Sequence, residues 1–301
     1  MNADLDLRKL RYFAAVADTL SFGRAAEQLH IAQPVLSRQI RALEQELGMQ
    51  LFVRDTRGTE LTDSGRLLLA EARSLLASAA AVRRRVAIAA RGEDVFTVGF
   101  MPGLTVTDAV RTFRRGAPSV DVRVLRTGWE KQVAVLHDGR ADVSYLREPF
   151  NSEGIQTVFL HEELRVVMLP TGHPLSGADQ VTMEHLSAEV LLQDPAAVPE
   201  WSTAAPVRRA PEGATQRKSR TVEEKLELVA GGAGIAILPL STARFYRRPD
   251  VAFCAVTDLA PTAVHIAWEA SRFSERITAF VDAAQAVAAQ RQHPAPQSPP
   301  G

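Results

Sequence analysis

In the stretch HIAQPVLSRQIRALE, residues 30–44, a proline at position 34 heads a run in which Leu36, Ile40, Leu43 and Leu47 recur at helical spacing. Inside a helix a proline removes a backbone hydrogen bond and clashes with the preceding turn, at a cost of about 3 kcal/mol; at the first helical position it costs almost nothing. Pro34 therefore marks a start, and Gly48 a stop. Ahead of it, Ser21 can cap a short helix running to about His30, with Ala25, Ala26 and Leu29 inward. Only "IAQ" separates the two helices, which predicts a helix-turn-helix. A helix over residues 5–17 precedes it, with Leu7, Leu10, Ala14 and Ala17 on one face, and the following "QLFVRDTRGTELT" alternates, turns at Gly58 and reads as a two-stranded wing. Residues 1–61 thus form one winged unit.

Residues 62–91 read as a single long helix, about 40 Å from Thr62 to residue 90. Leu68, Ala72, Leu75, Ala79, Val82 and Val86 alternate spacings of four and three, continuing to Ala89, with arginines outside the seam. A heptad seam of this kind predicts pairing with a second copy; the alternative is a helix packed on its own domain.

From residue 95 the period changes to strand-helix alternation. Strands are expected at "VFTVGF", "VDVRVLR" and "ADVSYL", with helices over 105–115 and 128–138 between them. A second set follows: strands near 164–169, 190–192, 235–238, 251–256 and 263–268, helices near 221–230 and 239–246, and a last helix over 271–290. This is an α/β domain over residues 94–290 in two lobes, the first from 94–163 and 267–290 and the second from 164–266, with the crossings offering a hinge. The Pro-rich residues 291–301 are expected to be disordered.

Composition narrows the functions open to such a chain. Its 301 residues are 46% apolar and 23% charged, enough for two or three globular domains. Charges stand where a signal peptide would have its apolar core, and the apolar stretch near 228–240 is short and broken by glycines and Pro239, so a cytoplasmic protein without a membrane span is expected. One cysteine, Cys254 in "VAFCAV", excludes an internal disulfide and a multi-cysteine metal site and reads as a buried thiol. The seven histidines lie apart without HExxH spacing, and no GxxxxGK[ST] or GxSxG occurs, so no metal, cofactor or catalytic residue is expected. "GGAG" at 231–234 follows a helix and precedes a strand, the reverse of a pyrophosphate-binding loop, and is read as helix termination and a turn. Net charge is zero, so DNA binding must rest on where charges sit rather than on their sum.

With Leu36, Ile40 and Leu43 inward, the third helix presents Gln33, Pro34, Val35, Ser37, Arg38 and Arg41 near its N-terminus. Glutamine pairs with adenine edges, arginine with guanine O6/N7, serine with a base or phosphate, and valine can touch a thymine methyl. Arg54 and Arg57 on the wing are placed to meet phosphates or the minor groove, and Ser21 is a further candidate DNA contact. Pattern alone leaves open an ordinary solvated face with incidental arginines.

The run "SFGRAAEQLHIAQPVLSRQIRALEQELG", followed by "LFVR" and "LTDSG", resembles the N-terminal domain of LysR-type transcriptional regulators over its whole length. The resemblance implies a winged helix-turn-helix, a dimerising linker helix, and a two-lobed effector domain similar to type 2 periplasmic binding proteins. It also implies double-stranded DNA and a small-molecule effector as partners, a homodimer or a homotetramer built as a dimer of dimers, and RNA polymerase as a partner of an activator. Gln33, Pro34, Ser37 and Arg38 match the family's recognition-helix contacts, and Arg54 its wing arginine. The later match is looser but in order, from "VGF" through "LHDGRADVSYL" to "LVAGGAGIAILP".

In the C-terminal domain, Thr105 with Asp108 and Thr127 with Glu130 read as helix N-caps at strand ends, where free N–H groups favour anions. Arg147 follows a strand and can pair with a carboxylate. These residues predict a cleft for a small anionic effector, lined by Met101, Pro102, Gly103, Thr105, Thr127, Trp129, Tyr145 and Arg147, with Gln193 from the other lobe. Trp129 suits an aromatic or apolar body; alternatively Trp129 and Tyr145 are core residues. The family's pocket has small hydroxyl residues near Gly103 and Trp129, where this chain departs from it. An effector-unresponsive regulator, and an enzyme or solute-binding protein with an appended helix-turn-helix, are the competing readings.

Overall fold

The computed structural model describes residues 5–55, 58–204 and 221–292, in two compact units that meet in sequence at Ala90 and Arg91. The first holds α1 (Leu7–Thr19), α2 (Phe22–Gln28), α3 (Gln33–Leu47), the hairpin β1 (Phe52–Asp55) and β2 (Gly58–Leu61), and α4 (Asp63–Ala90). Ser21 caps α2 as expected, its hydroxyl accepting from Arg24 N. Leu36, Ile40 and Leu43 are fully buried on α3, the face the spacing predicted. On α1 the inward face is Leu10, Phe13, Val16 and Ala17. Leu7, expected inside, is the first residue of the helix and is 41% exposed, whereas Phe13, not among the expected positions, is buried with its ring 5.3 Å from Phe52. The Glu44 carboxylate accepts from Leu51 N at 3.0 Å and Phe52 N at 3.3 Å, tying α3 to the wing.

Thr62 opens α4 by accepting from Gly65 N at 2.9 Å while its hydroxyl donates to Gln50 O at 2.8 Å. The predicted seam divides along this helix. Ala72 is fully buried in the winged core, with Leu68, Leu69 and Leu76 packed against it, and Arg73 pairs with Asp18 of α1. Ala72 is therefore consumed by its own domain and closed to a second copy, a correction to the seam; Leu75, Val82 and Val86 remain exposed.

The second unit contains β3 (Val95–Phe100), α5 (Thr107–Gly116), β4 (Asp121–Arg126), α6 (Ala134–His137), β5 (Val143–Arg147), β6 (Ile155–Glu163), β7 (Arg165–Pro170), β8 (Gln180–Val181), α7 (Met183–Leu186), α8 (Trp201–Ala204), α9 (Val222–Ala230), β9 (Ala236–Pro239), α10 (Leu240–Phe245), β10 (Val251–Val256), β11 (Thr262–Glu269) and α11 (Glu275–Gln292). Two sheets result, in the orders β4-β3-β5-β11-β6 and β8-β10-β7-β9. In the first, β3, β4 and β5 run parallel and β11 is antiparallel to β5 and β6. Phe96, Phe113 and Phe280 stack in its core with ring centroids 5.0–5.5 Å apart.

The chain crosses between the lobes at Leu164 and again over 257–261. All of β11 pairs in the first sheet, so the second lobe ends before Thr262, not at 266 as expected. The expected helix over 128–138 is a 3-10 turn, Trp129–Lys131, and the four-residue α6, with Gln132 between them buried and its amide bonded to the Arg147 main chain. The expected strand at 190–192 is one parallel bridge, Leu191 to Ile235. Gly234 lies where an added Cβ would stand 2.2 Å from Val190 O, so close approach to this bridge explains the last glycine of GGAG, and Gly231 N donates to Glu227 O to close α9. Arg291, assigned to a disordered tail, is helical and donates to Thr105 Oγ1 at 2.9 Å; residues 293–301 lie outside the described residues. No helix among the described residues is long and apolar enough to cross a membrane.

Candidate DNA-reading face and interlobe cleft

Pro34 occupies the second position of α3, one residue later than expected, where its missing N–H is still one of the unpaired groups of a helix start. Ala32 supplies no side-chain cap, so the first turn is left open. Gln33, Pro34, Val35, Arg38 and Arg41 are exposed and Ser37 is half-buried, while the hydrophobic face points the other way. The Ser21 hydroxyl is occupied by its cap. Arg54 lies on β1, facing Thr59 across the hairpin; its side chain and the whole of Arg57 lie outside the described residues.

In the second unit a cleft of about 620 Å³ lies between the lobes, lined by Met101, Pro102, Thr127, Trp129, Arg147 and Gln193 of the expected set. Gly103, Thr105 and Tyr145 do not line it. Tyr145 is in the core of the first lobe, where burial pushes its phenol pKa up; the core alternative holds for this residue. Thr105 is exposed and accepts from Arg291 instead of capping α5, whose N-cap, Val106, has no side-chain bond. Thr127 likewise caps nothing: its hydroxyl donates to Phe100 O at 3.2 Å. The start of α9 reaches the cleft through Thr221 and Val222, and that of α10 through Pro239. Trp129 lines the cleft with its indole N–H buried and without a partner among the described residues.

Arg147 is the largest departure. Its side chain is 4% exposed and bonded on three sides: Nε to Glu163 Oε2 at 3.0 Å, Nη1 to Pro102 O at 2.8 Å and Nη2 to Ser241 Oγ at 2.8 Å. Pro102 O also accepts from Thr242 Oγ1 at 3.0 Å. Ser241 and Thr242 belong to α10 in the second lobe, so this cluster stitches the lobes together and has no free fork for an effector carboxylate. Burial drives the Arg147 pKa down against the nearby Glu163 charge.

Gln193 is committed too, its Nε2 donating to Ile237 O at 2.8 Å and its Oε1 accepting from Ile237 N at 3.0 Å. Gln132 does the same across the cleft, bonding Arg147 O at 2.9 Å and Arg147 N at 2.8 Å. At the mouth, Arg126 of the first lobe pairs with Glu223 of α9 at 3.0 Å. Sequence reasoning missed Lys225, Gln132 and Arg126; the first two lie in segments whose helical pattern gave no separate sign of a site.

Residues 7–66 match the bacterial regulatory helix-turn-helix protein, lysR family, and residues 90–289 match the LysR substrate binding domain. The chain is 31% identical over 287 residues to a probable cat1 operon transcriptional activator of Acinetobacter lwoffii, covering 91% of this chain and 93% of that protein. It is 34% identical to the regulator XapR of Escherichia coli (strain K12), covering 88% and 92%. Among solved structures, full-length BenM superposes with a TM-score of 0.53 at 27% identity, covering 98% and 100% of the two chains. These relatives are regulators rather than enzymes. With both halves matched in order, the chain belongs to the LysR family of DNA-binding transcriptional regulators.

Proposed function

We propose that this regulator reads its operator with the N-terminal face of α3, and that a small anionic effector bound between the lobes biases how paired winged domains meet DNA. The observation that carries the reading is the division of α3, with Leu36, Ile40 and Leu43 fully buried and Gln33, Val35 and Arg38 exposed beside an uncapped first turn. Arg38→Ala is expected to weaken operator binding by about 1–3 kcal/mol, measured against random DNA at fixed salt. Equal discrimination by variant and wild type would remove Arg38 from the reading set.

The exposed residues Leu75, Val82 and Val86 of α4 support a dimer, and a dimer of dimers is the larger assembly consistent with it. Leu75→Asp is expected to halve the sedimentation mass at a concentration where wild type is dimeric, because it places a charge in an apolar seam; an unchanged mass would move the interface elsewhere. The site of action is the cytoplasm, and RNA polymerase is the further partner if the chain activates, as the Acinetobacter lwoffii relative is named to do.

A further inference from the structure

The cations of the cleft are not equivalent. Arg147 is spent on Glu163, Pro102 and Ser241, Arg165 on Glu200 and the Ala260 carbonyl, and Arg126 on Glu223 and Tyr246. Lys225, in the first turn of α9, lines the same cleft half-buried and has no hydrogen bond or ion pair among the described residues. Lys131 also lines the cleft but is exposed. The chain has four lysines, Lys9, Lys131, Lys218 and Lys225, among 35 basic residues, so lysine inside the cavity is an exception to its use of arginine. A compact ammonium takes a single anionic oxygen from several directions, whereas a guanidinium favours a planar two-point partner. Burial lowers the Lys225 pKa, opposed only through space by the exposed Glu130. The charge has lost water and gained no bonded partner, and a bound anion would supply one.

We propose that Lys225 selects the effector by charge, pairing through Nζ with a carboxylate of a small ligand whose apolar body lies against Met101, Trp129, Val222 and Leu238. This rests on the cleft being the effector site, so the test reads the anchor and the cleft separately. In full-length protein with ¹³C-methylated lysines and ¹³C-methyl methionines, Lys225 (assigned with Lys225→Arg) and Met101 give two reporters of the same cavity. Phenylacetate serves as the probe and phenylacetamide as its uncharged counterpart.

Saturable shifts of both signals with phenylacetate, and no Lys225 shift with phenylacetamide, are expected. Lys225→Met should weaken phenylacetate binding at least about tenfold, as loss of one charge-assisted hydrogen bond requires, and Lys225→Arg should restore part of it. If Met101 shifts while Lys225 stays still, or Lys225→Met binds phenylacetate as wild type does, Lys225 is not the anchor and the cleft reading stands. An equal Lys225 shift with phenylacetamide overturns selection by charge. If neither signal moves, both readings fall.

Discussion

Glu163→Gln is expected to destabilise the second unit by about 3–5 kcal/mol at neutral pH, the range found when one member of a buried ion pair is removed. Arg147 would remain, 4% exposed and facing a neutral amide. The loss should appear as a lower urea midpoint with an unchanged slope. Its pH dependence has a defined sign. Burial raises the Glu163 carboxyl pKa, but hydrogen bonds from His161, Ser241 and Arg147 and the Arg147 charge outweigh it, so the folded pKa lies below the ordinary value. A carboxyl depressed on folding contributes stability that is fully present above its unfolded pKa, about 4.3, and is lost as pH falls through the folded one. Wild type and Glu163→Gln should therefore differ most at pH 6–8 and converge in acid, as measured by urea unfolding across pH. Equal midpoints at neutral pH would show that the pair contributes no net stability.

Gly103→Ala should be comparably damaging. Gly103 has φ +82°, and an added Cβ would stand 2.6 Å from both Thr242 Cα and Thr242 N. A left-handed conformation costs a non-glycine residue about 1–2 kcal/mol, and overpacking adds about 1–3 kcal/mol. Backbone cannot rotate away as a side chain can, so relief requires α10 to move off the Pro102–Gly103 turn. That movement strains the Thr242 and Arg147 contacts at the same seam. A melting temperature lower by on the order of 5–10 °C is expected for a unit of this size. A variant that melts with wild type would mean that the turn and α10 can separate freely.

Parts of this molecule were legible because they are local. Pro34, Gly48 and the spacing of Leu36, Ile40 and Leu43 determine where α3 begins, ends and turns its apolar face. The strand β10 was read to its residue bounds, Val251–Val256, because an apolar run between turn residues carries its own signal. The strand β6 carries no such signal: Ile155–Glu163 is an edge strand with three charged or titratable residues near its end, and only its pairing with β11 makes it a strand. The same limit governed the cleft. In sequence Arg147 reads as available, because no local pattern indicates that Glu163 and Ser241 will stand beside it, 16 and 94 residues away. Lys225 lay inside a helix whose period described its buried leucine and valines well, and only the rarity of lysine in the chain could have singled it out.

The paired glutamines bear on how readily such a regulator can change its signal. At Arg147 and Ile237 the side-chain amides of Gln132 and Gln193 bond both main-chain groups, so at these two positions of the cleft wall the N–H is spent and the carbonyl already has one partner. Recognition there falls mainly to side chains, and a side chain is what a single codon change rewrites. Under the proposed function, the backbone of the wall can thus stay fixed while single substitutions change what the cleft holds.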